Sequence, residues 1–326
     1  MQVQVLPPAG VFYRFRLEQV ELMYQLRRTD SGAWILQRDD GGSFVPTNSY
    51  QESLPRYVEV FDRSYKLAQA KCEFEFLLTM FRVRGLESPV VNPYDTTMRA
   101  IPRLVYHMQQ VRDFETQRHL QLWLYGHIVE AAEPYETLAN MLKIAKGGNF
   151  SLQNFPQHPG GRPQSPGEKI SFLQDECEAL GVPELVKPMK EIWNRDLRNA
   201  VFHSDYSLRG GEVLIDDGRI SYSNEYVFDV FNKAIAYYDA LRYVERIYRA
   251  SYTYPKIVEL RPGFSDDPEE KAKVIVVEGY GAVGLKSAWT LEQIIAGKIP
   301  FRVGRFTEEE KSIERQSHTC TASKEG

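Results

Sequence analysis

Apolar side chains at Leu54, Val58, Phe61, Tyr65, Ala68, Cys72, Phe76, Met80 and Val83 recur every three to four positions, the period of a helix with one buried face. One long helix is expected there, and this stripe is core. The stretch before it is patterned differently. Residues 11–17 alternate in their second half, Asp30-Ser31-Gly32 has turn composition, and Asp39-Asp40-Gly41-Gly42 divides Trp34-Ile35-Leu36 from Ser43-Phe44-Val45. A small antiparallel sheet follows from these signals.

After a break at 89–93, residues 94–146 are rich in aromatic and long apolar side chains. They read as two helices or one bent helix, kinked near Pro102 and Pro134. Residues 147–168 then crowd Gly147, Gly148, Pro156, Pro159, Gly160, Gly161, Pro163, Pro166 and Gly167 together. That composition predicts a loop of about 20 residues, either a mobile insertion or a cover for a site. Helical spacing resumes with Val186, Met189, Trp193, Leu197, Ala200 and Val201, and again with Val227, Phe231, Ala234, Tyr238, Leu241, Val244 and Tyr248. The second of these stripes marks a last helix over about 225–252. Between the two, Val213-Leu214-Ile215 and Arg219-Ile220-Ser221 flank Asp216-Asp217-Gly218, a hairpin signal.

Near the C-terminus a strand-like run at 273–278 leads into Gly279-Tyr280-Gly281-Ala282-Val283-Gly284, followed by a helix-like run over about 287–296. The glycine spacing matches a dinucleotide fingerprint, but too little chain follows for a doubly wound sheet, and the next strand-like run lacks the acidic residue that would hold a ribose. The glycines therefore read as a turn in a short α/β appendage, with a frayed polar tail from about 307. The chain divides into a small β region at 1–50, a helical domain at 51–252 and the appendage at 253–326.

Composition narrows the classes. The 326 residues are 43% hydrophobic, enough for a sizeable core, and the formal charge of −4 provides no bulk attraction for nucleic acid. RNA binding would have to come from a local patch, for which Arg195, Arg198 and Arg209 are candidates. Cys72, Cys177 and Cys320 have neither metal-ligand spacing nor a disulfide framework. His107, His119 and His127 stand 12 and 8 residues apart without a matching carboxylate pattern, so they read as core or surface histidines and no metal is expected. Residues 1–10 lack a basic start and a long apolar run, and nowhere are there 18 consecutive apolar residues. A cytoplasmic protein without a membrane segment is expected.

The candidate chemistry lies in Arg195-Asp196-Leu197-Arg198-Asn199-Ala200-Val201-Phe202-His203-Ser204-Asp205-Tyr206. With Leu197 at the centre of the buried face and about 100° per residue, Arg198, Phe202, Arg195, Asn199 and His203 follow one another around the opposite arc. Arg198 and His203 lie roughly 140° apart and do not easily converge on one atom from a single straight helix. Two copies facing each other across a two-fold axis would bring them together, so a homodimer is expected.

The run from Leu197 to Tyr206 resembles the signature of the HEPN superfamily, whose helical domains carry an Arg, four to six residues and a His near the end of a late helix. The resemblance covers about residues 94–252. It implies a mainly α, HEPN-like helical bundle, here with a small N-terminal antiparallel β region and a C-terminal α/β appendage. It further implies a metal-independent endoribonuclease of a toxin, RNA-processing or antiviral defence system, without a cofactor and with an antitoxin or defence protein as partner. Carried over residue by residue, Arg198 would hold the scissile phosphate, His203 would move protons, and Asn199 would orient the substrate or the histidine. Arg195, Asp205, Tyr206 and Arg209 would line the substrate path. Phe202 departs from the small residue often found before the His, and serves either as a base-stacking platform or as a dimer contact. The alternative is a non-catalytic module of the same family that binds a partner protein or a nucleotide.

Overall fold

The computed structural model describes residues 47–82 and 93–252 continuously and, outside them, six strands. Strands β1 (Tyr24–Arg28), β2 (Trp34–Arg38) and β3 (Ser43–Phe44) form an antiparallel sheet in that order, with Arg28 opposite Trp34 and Leu36 opposite Phe44. The expected N-terminal sheet is thus present, although the strand read at 11–17 lies outside the described residues.

The expected long helix is two. Helix α1 (Asn48–Lys71) is capped by Thr47 and ends at Cys72, whose φ of −156° and ψ of 100° are extended; α2 (Glu73–Arg82) starts at the next residue. The apolar period runs through the break because both helices bury the same face. What fixes the break is distant in sequence: the Tyr252 hydroxyl accepts from Gln69 Nε2 at 2.8 Å and donates to Glu73 Oε1 at 2.5 Å, one partner on each side of Cys72.

Residues 94–146 hold three helices rather than two: α3 (Pro93–Gln110), α4 (Phe114–Glu130) and α5 (Ala132–Ala145). Asp113 caps α4 by accepting from the Thr116 N–H at 2.7 Å. Pro102 stays inside α3. Pro134 falls in the first turn of α5, where its missing N–H leaves no bond unmade, and a helix continued through it would set its ring against the Glu130 carbonyl. The chain breaks at Ala131 instead, and the Tyr135 hydroxyl donates to the Val129 carbonyl freed there, at 2.8 Å.

The Gly/Pro-rich loop is anchored to α5 by reciprocal bonds between Asn140 and Ser151 and by Asn154 Nδ2 on Glu136. It ends at Ser165, which forms a capping box with Glu168 and starts α6 (Pro166–Ala179). A 3-10 turn (Pro183–Val186), α7 (Lys187–Ile192) and α8 (Arg195–His203) follow. The stripe from Val186 to Val201 is therefore broken at Trp193 and Asn194 rather than carried by one helix.

Beyond α8, β4 (Tyr206–Arg209), β5 (Glu212–Ile215) and β6 (Ile220–Tyr222) make an antiparallel meander. The predicted hairpin is its second turn: Asp216, Asp217 and Gly218 all have positive φ, and Ile215 faces Ile220. Its first turn uses Gly210 and Gly211, at φ 59° and 91°. Helix α9 (Asn224–Ala250), capped by Ser223, closes the helical part. It lies along α1 in the same direction, since contacts advance together from Tyr57–Tyr237 through Tyr65–Tyr248 to Gln69–Tyr252. Helices α4, α5 and α7 pack around this pair to enclose one core.

Strands β7 (Lys256–Glu259), β8 (Lys271–Val277) and β9 (Gly281–Leu285) form a third antiparallel sheet. Gly281 and Gly284 lie on β9, opposite Val277 and Val274. A strand paired back on its predecessor cannot be the strand-to-helix turn of a dinucleotide site, so the fingerprint spacing is coincidental. The helix read at 287–296 lies outside the described residues. Among those described, no helix is long and apolar enough to cross a membrane.

Candidate active site

Helix α8 is a short element with both ends specified. Asn194 accepts from the Leu197 N–H at 2.9 Å, and its amide donates to the Tyr226 hydroxyl at 2.9 Å. At the other end Ser204 adopts the left-handed conformation at φ 55°, and the Asp205 N–H bonds the Ala200 carbonyl at 2.9 Å, a Schellman closure. The buried Tyr125 of α4 spans the entry to α8: its hydroxyl donates to the Ile192 carbonyl at 2.9 Å and accepts from the Asn194 N–H at 3.0 Å. Both backbone groups released by the break at Trp193 are thereby satisfied by one side chain. Burial pushes this phenol well above its ordinary range and keeps it neutral.

With Leu197, Ala200 and Val201 buried, the remaining positions of α8 face outward beside the solvent-facing stripe of α4. That stripe is His119, Trp123, His127 and Glu130, spaced three or four apart. Arg198 meets it at Glu130, which accepts from Nε and pairs with Nη2. Nη1 donates to Asn199 Oδ1 at 2.8 Å, and the guanidinium lies over the Phe202 ring, 5.0 Å from its centroid. All three faces of the Arg198 fork are engaged, which fixes its direction at the surface. The Phe202 ring also meets His127, with centroids 6.3 Å apart and planes at 82°.

This approach depends on Gly126. A Cβ there would stand 3.1 Å from Phe202 Cε2 and 3.3 Å from Val201 Cγ1. Glycine in a helix interior costs about 1 kcal/mol relative to alanine, and here it makes room for the Phe202 ring. Phe202 remains 45% exposed, so part of one aromatic face is open to a ligand.

Not every nominated residue gathers at this cluster. His203 is exposed on the last turn of α8, and its ring has no hydrogen-bond, ion-pair or ring partner among the described residues. Arg195, Asp205 and Arg209 are exposed, and among the described residues their charged groups also lack bonding partners. Tyr206 joins a second cluster: its hydroxyl shares a 2.7 Å hydrogen bond with His119 Nδ1, and His119 in turn lies 6.2 Å from the Trp123 ring. Burial raises the Tyr206 phenol, with a contact from Trp123 working against it. Trp123 is 52% exposed.

Glu130, His127, Gly126, His119 and Trp123 belong to this surface although sequence reasoning did not select them. Their spacing was a usable signal, since rings at 119, 123 and 127 with a carboxylate at 130 form one helical stripe. Nothing in the sequence said that α8 lies beside it. Among the described residues, no group of three or more His, Cys, Asp or Glu side chains is arranged to hold a metal ion.

Comparison with known proteins finds no match to this chain, whether among family models, curated proteins or solved structures.

Proposed function

We propose that this protein is an HEPN-like, metal-independent endoribonuclease acting as a two-fold dimer, in the toxin or defence setting that the resemblance implies. The observation that carries this reading is the contrast between Arg198 and His203. Arg198 is held by three neighbours as an oriented, permanently charged fork, whereas His203 stands exposed at the end of the same helix with no partner among the described residues. A phosphate anchor and a proton carrier that do not easily converge within one copy can meet between two. In the reaction, His203 of one copy takes the proton from the ribose 2′-hydroxyl, whose oxygen attacks the adjacent phosphorus and displaces the 5′-oxygen as the P–O5′ bond breaks, while Arg198 of the other copy neutralises charge building on the phosphoryl oxygens. Asn199 keeps the guanidinium turned toward the phosphate.

The test is cleavage of total RNA in excess chelator. The parent should leave 2′,3′-cyclic phosphate ends and spare DNA, and Arg198→Ala and His203→Ala should each lose about 10² to 10⁴ in rate. Mixing the two inactive variants should recover part of the activity, because a mixed dimer retains one intact composite site. A parent that cuts no RNA, or a His203→Ala protein that cuts at the parental rate, overturns the reading.

One observation favours the second reading, a non-catalytic binding module. Glu130 occupies the edge of Arg198 that a phosphate would use, and Trp123 and Phe202 lie exposed beside it. Such a module forms a stable complex with a protein or nucleotide through this face and leaves RNA intact.

A further inference from the structure

Cleavage by 2′-hydroxyl attack requires two proton transfers, one from the nucleophile and one to the departing 5′-oxygen. A single imidazole performs one of them at a time, so the proposed reaction has an unfilled role. The α4 surface offers a group for it. His127 is exposed, and its ring nitrogens have no partner among the described residues. It is carried on a rigid helix next to the phosphate anchor: Arg198 Cζ is 5.0 Å and the His127 ring 6.3 Å from the same Phe202 centroid. Those two separations cap the distance from guanidinium to imidazole at about 11 Å. A phosphate that accepts from a donor on each side at about 3 Å stays within that limit.

The charges facing His127 are Glu130, at the next turn of α4, and Arg198 across the seam, with the indole of Trp123 at the preceding turn. Glu130 is paired with Arg198, which leaves the local charge near balance. His203, by contrast, points from the far flank of α8, roughly 140° around the axis from Arg198.

Resting on the endoribonuclease reading, we infer that His127 is a second catalytic histidine, the general acid that protonates the 5′-oxygen on the same copy that supplies Arg198. The balance is complete. His203 of the other copy receives the 2′-hydroxyl proton as the O2′–P bond forms, the P–O5′ bond breaks, and the imidazolium of His127 gives its proton to O5′. The products are a 2′,3′-cyclic phosphate and a 5′-hydroxyl, and the two histidines re-equilibrate with water.

The experiment compares single-turnover cleavage of one RNA by the parent, His127→Ala and His127→Phe, the last preserving an edge-on ring contact with Phe202. Both variants should lose about 10² to 10⁴ in rate. An RNA with sulfur in place of the 5′-bridging oxygen, whose thiolate departs without a proton, should be cleaved by both variants at close to the parental rate. If the parent cleaves and Arg198→Ala does not, while His127→Ala stays within a few-fold of the parent, the inference fails and the ribonuclease reading stands. Loss of cleavage on both RNAs overturns the acid role. A parent that cleaves neither RNA removes the ribonuclease reading and this inference together.

Discussion

Arg198 is clasped by Glu130, a carboxylate 68 positions earlier in the chain, through both Nε and Nη2. The pair sits at the seam of α4 and α8 with side chains 22% and 28% exposed, where partial desolvation of both charges offsets much of their attraction and keeps the contribution to stability small. Its larger effect is on what Arg198 can bind, because any anion must compete with Glu130.

Replacing Glu130 with Gln should therefore change binding more than folding. The melting midpoint should move by the equivalent of about 1 kcal/mol or less. Affinity for a short single-stranded RNA should rise several-fold, and the slope of log affinity against log salt should steepen by about 0.7 as one more cation becomes available to phosphate. Fluorescence anisotropy across a salt series measures both; unchanged affinity and slope would show that Glu130 does not compete.

Gly126→Ala sets a gain in helix propensity of about 1 kcal/mol against a new Cβ pressed on Phe202 and Val201. The overlap should win, with a net loss of about 1 to 2 kcal/mol in denaturant unfolding. Adding Phe202→Ala should remove most of that penalty, since the added methyl then meets empty space. An additive double mutant would contradict the proposed contact.

Tyr125→Phe deletes one oxygen and strands two backbone groups, the Ile192 carbonyl and the Asn194 N–H. The expected cost is about 1 to 3 kcal/mol. Because these groups set where α8 begins, amide exchange should accelerate in Arg195–His203 more than in α6. Uniform acceleration across both helices would mean that the hydroxyl serves only global stability.

The cap of α6 gives a pH signature. Bonds from the Ser165 hydroxyl and backbone N–H, together with His158, bring the Glu168 carboxyl down to about 2. The folded state thus prefers the carboxylate more than the unfolded chain does. Its stabilising effect is complete above the ordinary carboxylate range near 4.5 and is lost as pH falls toward 2. Thermal melts of the parent and Glu168→Gln should differ at pH 6 and converge near pH 2. A constant difference would place the effect elsewhere.

Much of the local structure was legible in the sequence because its causes are local. The apolar stripes of α1, α2 and α9 reflect a 3.6-residue period acting over neighbouring turns, and Asp216-Asp217-Gly218 specifies its hairpin through backbone preferences of three residues. The arc from Arg198 to Phe202 could likewise be drawn from helix geometry, and the structure stacks those two side chains. Helix ends were less legible. At Cys72 and Trp193 the apolar period continues through the break, and the groups that stabilise each break, Tyr252 and Tyr125, come from distant parts of the chain.

The surroundings of the motif were decided by tertiary structure alone. In the sequence Glu130 and Gly126 are unassigned and His127 reads as a core or surface histidine until α4 lies beside α8. That juxtaposition arises from how α9, α3 and β5 pack against the two helices, a result of contacts among residues far apart in the chain. Periodicity records which face of a helix is buried; only the assembled core determines which neighbour its outward edge will meet.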